Sequence, residues 1–185
     1  MHSFKMVKAA AVAAFLSLAF VSCGTLFGPE DSADTGDTIE IAGSWVALSG
    51  DYSSRIDITG TTATFYSGTE ATVGTSTTIF QVCEIVAWSN DGFNAGDSST
   101  GNAGYMVVKY TTPSEYSPTS LNKFGVIRWK DIASSGGATT TLYSEGYLDA
   151  NGDWAGEYSD TAAAAEAAFT TAADAFSFYS TATLQ

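Results

Sequence analysis

The sequence predicts a mainly all-β domain, an antiparallel barrel or sandwich of about eight short strands with one helix near the C-terminus. Three observations predict it. Segments rich in β-branched and aromatic residues recur between turn signals made of Gly, Asn, Asp and Ser. One alanine-rich run, Asp160–Phe176, breaks that pattern with helical spacing. The 4 Trp, 9 Tyr and 11 Phe among 185 residues supply enough apolar area for a real core.

The folded unit is expected over residues 39–185. "TIEIAGSWVAL" (38–48) is β-branched and bounded by turns. "SRIDIT" (54–59) alternates apolar and polar residues, and "TATFYS" (62–67) follows a turn at Gly60. "TTIFQVCEIVAW" (77–88) is the longest strand expected, long enough to bend. "SNDG" (89–92) is a hairpin signal, because Asp-Gly suits the positive φ angles of a tight turn. "YMVVKYTT" (105–112), "KFGVIRWKDI" (123–132) and "TTTLYSEGYLD" (139–149) are further strands, and "ANGDW" (150–154) is another turn. Two loops stand out: the Gly/Ser-rich "NAGDSSTGNAG" (94–104) and "TPSEYSPTS" (112–120), which holds two of the three prolines. In the alanine-rich run, Asp160 or Thr161 can accept bonds from the free N–H groups of a first helical turn. Ala162, Ala165, Phe169, Ala172 and Phe176 form one narrow apolar face, expected to lie on the outside of the sheet. "FSFYST" (176–181) reads as a closing strand.

Before the domain, Lys5 and Lys8 precede a 13-residue apolar run, Ala9–Val21, broken only by Ser17. That length suits a signal-peptide core and is too short to span about 30 Å of bilayer. Ser22 is small enough for cleavage, and Cys23 follows. The arrangement resembles a bacterial lipoprotein signal, with Phe20 where most lipoboxes carry Leu, as in the looser lipoboxes of spirochaetes. It implies a signal peptide over 1–22 and a lipid on Cys23. The alternative is an ordinary secretory signal, in which case Cys23 and Cys83 could pair. With Cys23 lipidated, Cys83 is expected as a small buried hydrophobe. Residues 23–38 read as a flexible acidic tether beneath the lipid.

Composition then excludes function classes. The chain carries 7 Lys and Arg against 20 Asp and Glu, for a net charge of −13. Removing residues 1–22 takes two lysines and no acid, leaving −15. Such a surface repels phosphate backbones, so nucleic acid is not an expected partner. The only histidine, His2, leaves with the signal. Without it, histidine-based triads, histidine general bases and the usual zinc sites are unavailable. No phosphate-binding loop or dinucleotide fingerprint is present. Asp149, Asp153, Glu157 and Asp160 could in principle form a carboxylate pair, but acids are common throughout. "DANGDWAGEYSD" (149–160) matches a calcium loop at Asp149, Asn151 and Asp153, yet Trp154 replaces the required Gly and Asp160 the final Glu. A β-turn with Asn-Gly at its tip is the favoured reading. The expectation is a non-enzyme without cofactor or metal.

Gly43-Ser44-Trp45 on a first strand, the series of antiparallel strands and the late helix together resemble the lipocalin-like (calycin) barrels. The resemblance implies a barrel with the helix packed outside. It also implies that Trp45 closes one end beneath a late-strand arginine, for which Arg128 is available. The Thr-Asp-Tyr motif of many lipocalins is absent. From Ile41 onward, the order Gly-Ser-Trp, "KFGVIRWKDI" and "AAAAEAAFTTAADAFSFYS" also resembles a group of small spirochaetal lipoproteins, which bears on fold and location rather than activity. The expected role is that of a lipoprotein anchored in the bacterial cell envelope, structural or surface-interacting. The alternative is lipocalin-like binding of a small apolar ligand. Mobile loops usually rim such a mouth. The mouth is therefore expected beside loops 94–104 and 112–120, with Phe93, Tyr105, Tyr110 and Tyr116 as its candidate lining.

Overall fold

The structure is a computed structural model that describes residues 38–90, 103–147, 158–170, 173–176 and 178–185. Eight antiparallel strands close into one barrel: β1 (Gly43–Ala47), β2 (Ser53–Ile58), β3 (Thr62–Gly68), β4 (Ile79–Ser89), β5 (Gly104–Thr112), β6 (Phe124–Ser135), β7 (Ala138–Glu145) and β8 (Ser180–Leu184). Each strand pairs with the next, and β8 returns to β1 through Trp45 opposite Leu184 and Val46 opposite Thr183. Closure leaves no sheet edge exposed to another chain.

Side-chain alternation sorts the residues. Ile56 and Ile58 of β2, Ala63 and Phe65 of β3, Met106, Val108 and Tyr110 of β5, and Ile127 and Trp129 of β6 belong to one buried cluster inside the barrel. Bulges in β4 at Val82/Cys83 and Ile85/Ala87 bend this long strand around the barrel, as its length foreshadowed. Gln81, Cys83 and Ile85 are all buried.

One end is stoppered. Residues 38–42 are not strand, contrary to the expected start at Thr38. They turn under the barrel, with the Ala42 amide bonded to the Ile39 carbonyl at 2.8 Å. Ile39 and Ile41 are each 1% exposed and join the barrel core. Trp45 is 2% exposed, and its Nε1 donates to the Ile41 carbonyl at 2.7 Å. Asn90 clamps the segment, accepting from the Glu40 amide and donating to the Thr38 carbonyl. The glycine of the Gly-Ser-Trp motif has its own reason. Gly43 has φ +143°, and a Cβ there would lie 2.8 Å from Leu184 Cδ1. Inside, Trp129 lies over Gly104 so closely that a Cβ would sit 2.3 Å from its ring.

Arg128 does not cover Trp45. It lies between the inward-facing Ile127 and Trp129, so it points out of the barrel. There its Nη1 donates to Tyr179 Oη at 2.6 Å, and its guanidinium sits 5.8 Å from the Phe176 ring centre. Burial raises the Tyr179 hydroxyl above its ordinary range, and the Arg128 charge counters part of that rise.

A second core forms outside the barrel. Helix α1 (Ala162–Ala168) packs on β5 and β6, burying Ala165 and Phe169 with Val107, Val126, Ala175 and Phe176. Thr161 caps it by accepting from the Ala164 amide at 3.1 Å. The helix is shorter than the expected 160–176 run. It ends at Phe169, which leaves the helical region at φ −84°, ψ 82°. The Thr170 hydroxyl then accepts from the Ala173 amide and starts a separate turn. Phe176 belongs to this outer core, so the closing strand begins at Ser180 rather than at Phe176. The SNDG and ANGDW turns, the calcium-loop reading, Asp149, Asp153, Glu157 and Ala172 lie wholly or partly outside the described residues.

Truncating Trp45 to Ala should cost about 3–5 kcal/mol, the range for a buried aromatic. Chemical denaturation of both proteins measures it, and a difference under about 1 kcal/mol would deny the stopper its role.

Candidate functional site

The opposite end of the barrel is open. The β1–β2, β3–β4 and β5–β6 connections surround it, together with the segments that leave β7 and enter β8. A cup of about 870 Å³ enters the barrel there, within the range of small-molecule sites. Its inner wall is made by Ser54, Phe65, Ser67, Tyr143 and Glu145. A smaller cavity of about 320 Å³ adjoins it beneath the β5–β6 loop. Phe80, Tyr116, Tyr143 and Glu145 line both.

The sequence builds this end differently from the stoppered one. Serines and threonines crowd residues 67–78, so the β3–β4 wall of the cup is hydroxyl-rich. Small side chains at Ser54 and Ser67 leave room that Ile and Trp take up lower in the barrel. A polar layer forms the floor. Tyr143 Oη and Ser54 Oγ are 3.1 Å apart, and Gln81 Nε2 donates to Glu145 Oε2 at 3.4 Å. Gln81 Nε2 also contacts Cys83 Sγ at 3.7 Å. Burial pushes the Cys83 thiol far up, helped by the nearby Glu145 charge. Burial likewise raises the Tyr143 hydroxyl. Both shifts favour the protonated, hydrogen-bonding form at neutral pH.

The rim is braced. The Gly50 amide donates to Glu70 Oε1 at 3.0 Å and the Glu70 amide to the Gly50 carbonyl at 3.2 Å, tying the β1–β2 turn to the β3–β4 loop. Arg55 stacks 4.0 Å over Tyr66, pairs with Asp57, and donates to the Gly74 carbonyl at 2.8 Å. Val73 anchors that loop in full burial. On the other side, Thr119 Oγ1 meets Tyr158 Oη at 2.6 Å, and Lys123 pairs with Asp160. Around the braced loops stand large apolar side chains in solvent: Leu48, Tyr52, Ile79, Tyr116, Leu121 and Phe178, with Tyr52 88% and Tyr116 77% exposed. Elsewhere among the described residues, only Val86 and Leu184 are large apolar residues so exposed.

The candidate lining residues separate. Tyr116 stands at the mouth, its ring 5.9 Å from Phe80. Tyr110 is 4% exposed within the barrel core and packs over Gly125. Tyr105 faces the other way, out of the barrel, where its hydroxyl donates to Glu166 Oε1 of α1 at 3.0 Å. Burial and the Glu166 charge push that hydroxyl up to about 12. Phe93 lies outside the described residues. The two loops join β5 at its opposite ends, and residues 91–102 lie outside the described residues. Residues 112–120 border the opening, whereas Asn90 and Ala103, which flank the other loop, stand at the Trp45 end. Phe65, Phe80, Gln81, Tyr143 and Glu145 were missed. Inward parity on β3, β4 and β7 marked Phe65, Gln81, Tyr143 and Glu145, whereas Phe80 had no such signal, because the register slips beside it, with Phe65 opposite Gln81 and Tyr66 opposite Ile79.

Among the described residues no group of His, Cys, Asp and Glu could hold a metal, and no helix is long and apolar enough to cross a membrane. The chain matches no protein-family model, curated protein or solved structure.

Cys83 should resist thiol reagents in the folded protein and react on unfolding. Colorimetric titration with an aromatic disulfide checks this, and rapid stoichiometric labelling of the folded state would contradict the thiol's burial.

Proposed function

We propose that this chain is an envelope lipoprotein whose lipocalin-like barrel binds a small amphiphilic ligand in its open half. The open cup carries the reading: its size suits one small molecule, and aromatic and hydroxyl groups converge on its inner wall. The braced rim supports it, since a preformed site avoids the cost of ordering loops on binding. The interior below is filled by Trp45, Trp129, Ile56 and Met106, so a ligand occupies the upper half alone.

The exposed apolar ring favours a second reading, in which the open end docks on another macromolecule. The two differ in whether the cup itself must be empty. No tryptophan among the described residues lines either cavity, so quenching of the native tryptophans is a poor reporter. Isothermal titration with short-chain amphiphiles is the better assay. The protein should give saturable one-to-one binding. Ser67→Trp, which fills the cup from β3, should weaken it at least about tenfold with little change in stability, a loss of about 1.4 kcal/mol or more. Equal binding by the filled variant, or no binding across the panel, would leave the docking surface as the function.

Anchoring rests on Lys5, Lys8, the apolar run and Cys23, which lie outside the described residues. A cysteine carrying several acyl chains holds a protein firmly, since each buried CH₂ adds about 0.8 kcal/mol. Cys23→Ser should therefore move the protein from the detergent phase to the aqueous phase on phase separation. Retention in detergent with unchanged acyl labelling would refute the anchor.

A further inference from the structure

We propose that the ligand is an organic cation, an alkylammonium head carried on an apolar arm, bound head-down against Glu145 and the aromatic wall. The inference rests on the ligand-binding reading and adds the charge and orientation of the ligand. Three observations carry it.

First, the charges on the lining have one sign. Asp51, Glu115 and Glu145 line the larger cup, Glu145 lines the smaller cavity as well, and no lysine or arginine among the described residues lines either. An anionic head seated there would be brought against Glu145 in a medium of reduced dielectric, which repels it. A cation gains from the same field.

Second, the Glu145 carboxylate is accompanied by aromatic side chains. Phe80, Tyr116 and Tyr143 line both cavities beside Glu145, and Phe65 lines the larger. Aromatic faces attract alkylammonium groups, and the attraction grows as water is excluded. A carboxylate among several rings is the usual chemistry for such a head. The same rings would give an anion no comparable gain.

Third, polarity is graded from floor to rim. Ser54, Gln81, Tyr143 and Glu145 hold the hydrogen-bonding floor. The solvent-exposed ring of Leu48, Tyr52, Ile79, Tyr116, Leu121 and Phe178 stands above it. A head that needs polar partners therefore goes down, and an apolar arm leaves across the ring.

The test compares three probes with one decyl arm, each below its micelle concentration: decyltrimethylammonium, decanoate and decyl maltoside. Titration calorimetry on the whole chain should give decyltrimethylammonium at least about tenfold tighter binding than decanoate, with the maltoside between them. Glu145→Gln should narrow the cation-to-anion ratio by several fold. Glu84→Gln changes the net charge equally from an exposed position on β4 outside the cup, and should leave the ratio unchanged. Equal binding of all three heads, or a preference for decanoate, would overturn the cationic assignment while leaving the ligand site intact. Equal narrowing by both variants would also overturn it, because the selectivity would then belong to the overall acidic surface. If none of the three binds, the ligand-binding reading fails with it.

Discussion

The structure depends on closing eight strands into a ring. An eight-stranded barrel has an interior only wide enough to be filled by side chains or to hold one small ligand. This chain fills one half with side chains and leaves a cup in the other. Toward the Gly43 end, Trp45, Trp129, Met106 and the isoleucines of β2 fill the space, and Ile39 and Ile41 come from below the first strand to finish it. Toward the other end the inward positions shrink or turn polar: Ser54, Ser67, Gln81 and Glu145. Closure also leaves no unpaired edge, so the molecule's available surfaces are its outer wall and its two ends. Helix α1 covers part of the wall, and the N-terminal lead covers one end.

The bracing of the uncovered end follows from the same geometry. Each connection at the mouth is longer than a tight hairpin, and each is tied to its neighbour or to the wall. Gly50 and Glu70 bond reciprocally, Arg55 reaches the Gly74 carbonyl, and Lys123 holds Asp160. These contacts fix the outline of the cup before anything enters it. The apolar side chains left in solvent around that outline run against the usual cost of exposing Tyr, Leu and Phe. Among the described residues they are concentrated at one end of the barrel.

Much of the fold was legible from the sequence because β-branched and aromatic runs bounded by turn residues are a strong local signal. β2, β3, β5 and β6 fall within a residue or a few of the segments marked by it. The helix was overextended because alanine composition continues past the point where Phe169 and Thr170 end the helical hydrogen bonding. β8 was placed too early because Phe176, Phe178 and Tyr179 look strand-like, although the first is taken up by the outer core. The site was less legible, and the reason is topological. Consecutive connections of an up-and-down barrel leave from alternate ends, so the two connections flanking β5 start from opposite ends of the barrel. Tyr105 and Tyr110 are five residues apart, an odd number, so they point to opposite faces of the strand. Arg128, between Ile127 and Trp129, is turned outward by the same rule. The stopper formed by Ile39 and Ile41 had no signal separating it from the start of a strand.

The central claim is that one half of the barrel is solid and the other receives a ligand. Isotope-filtered nuclear Overhauser measurements with a decyl-chain probe test it most directly. The account predicts contacts from the probe to Phe65, Phe80, Tyr116 and Tyr143, and none to Trp45, Trp129 or Met106. Contacts confined to Tyr52, Leu121 and Phe178 on the outer ring, or reaching the Trp45 end, would contradict it.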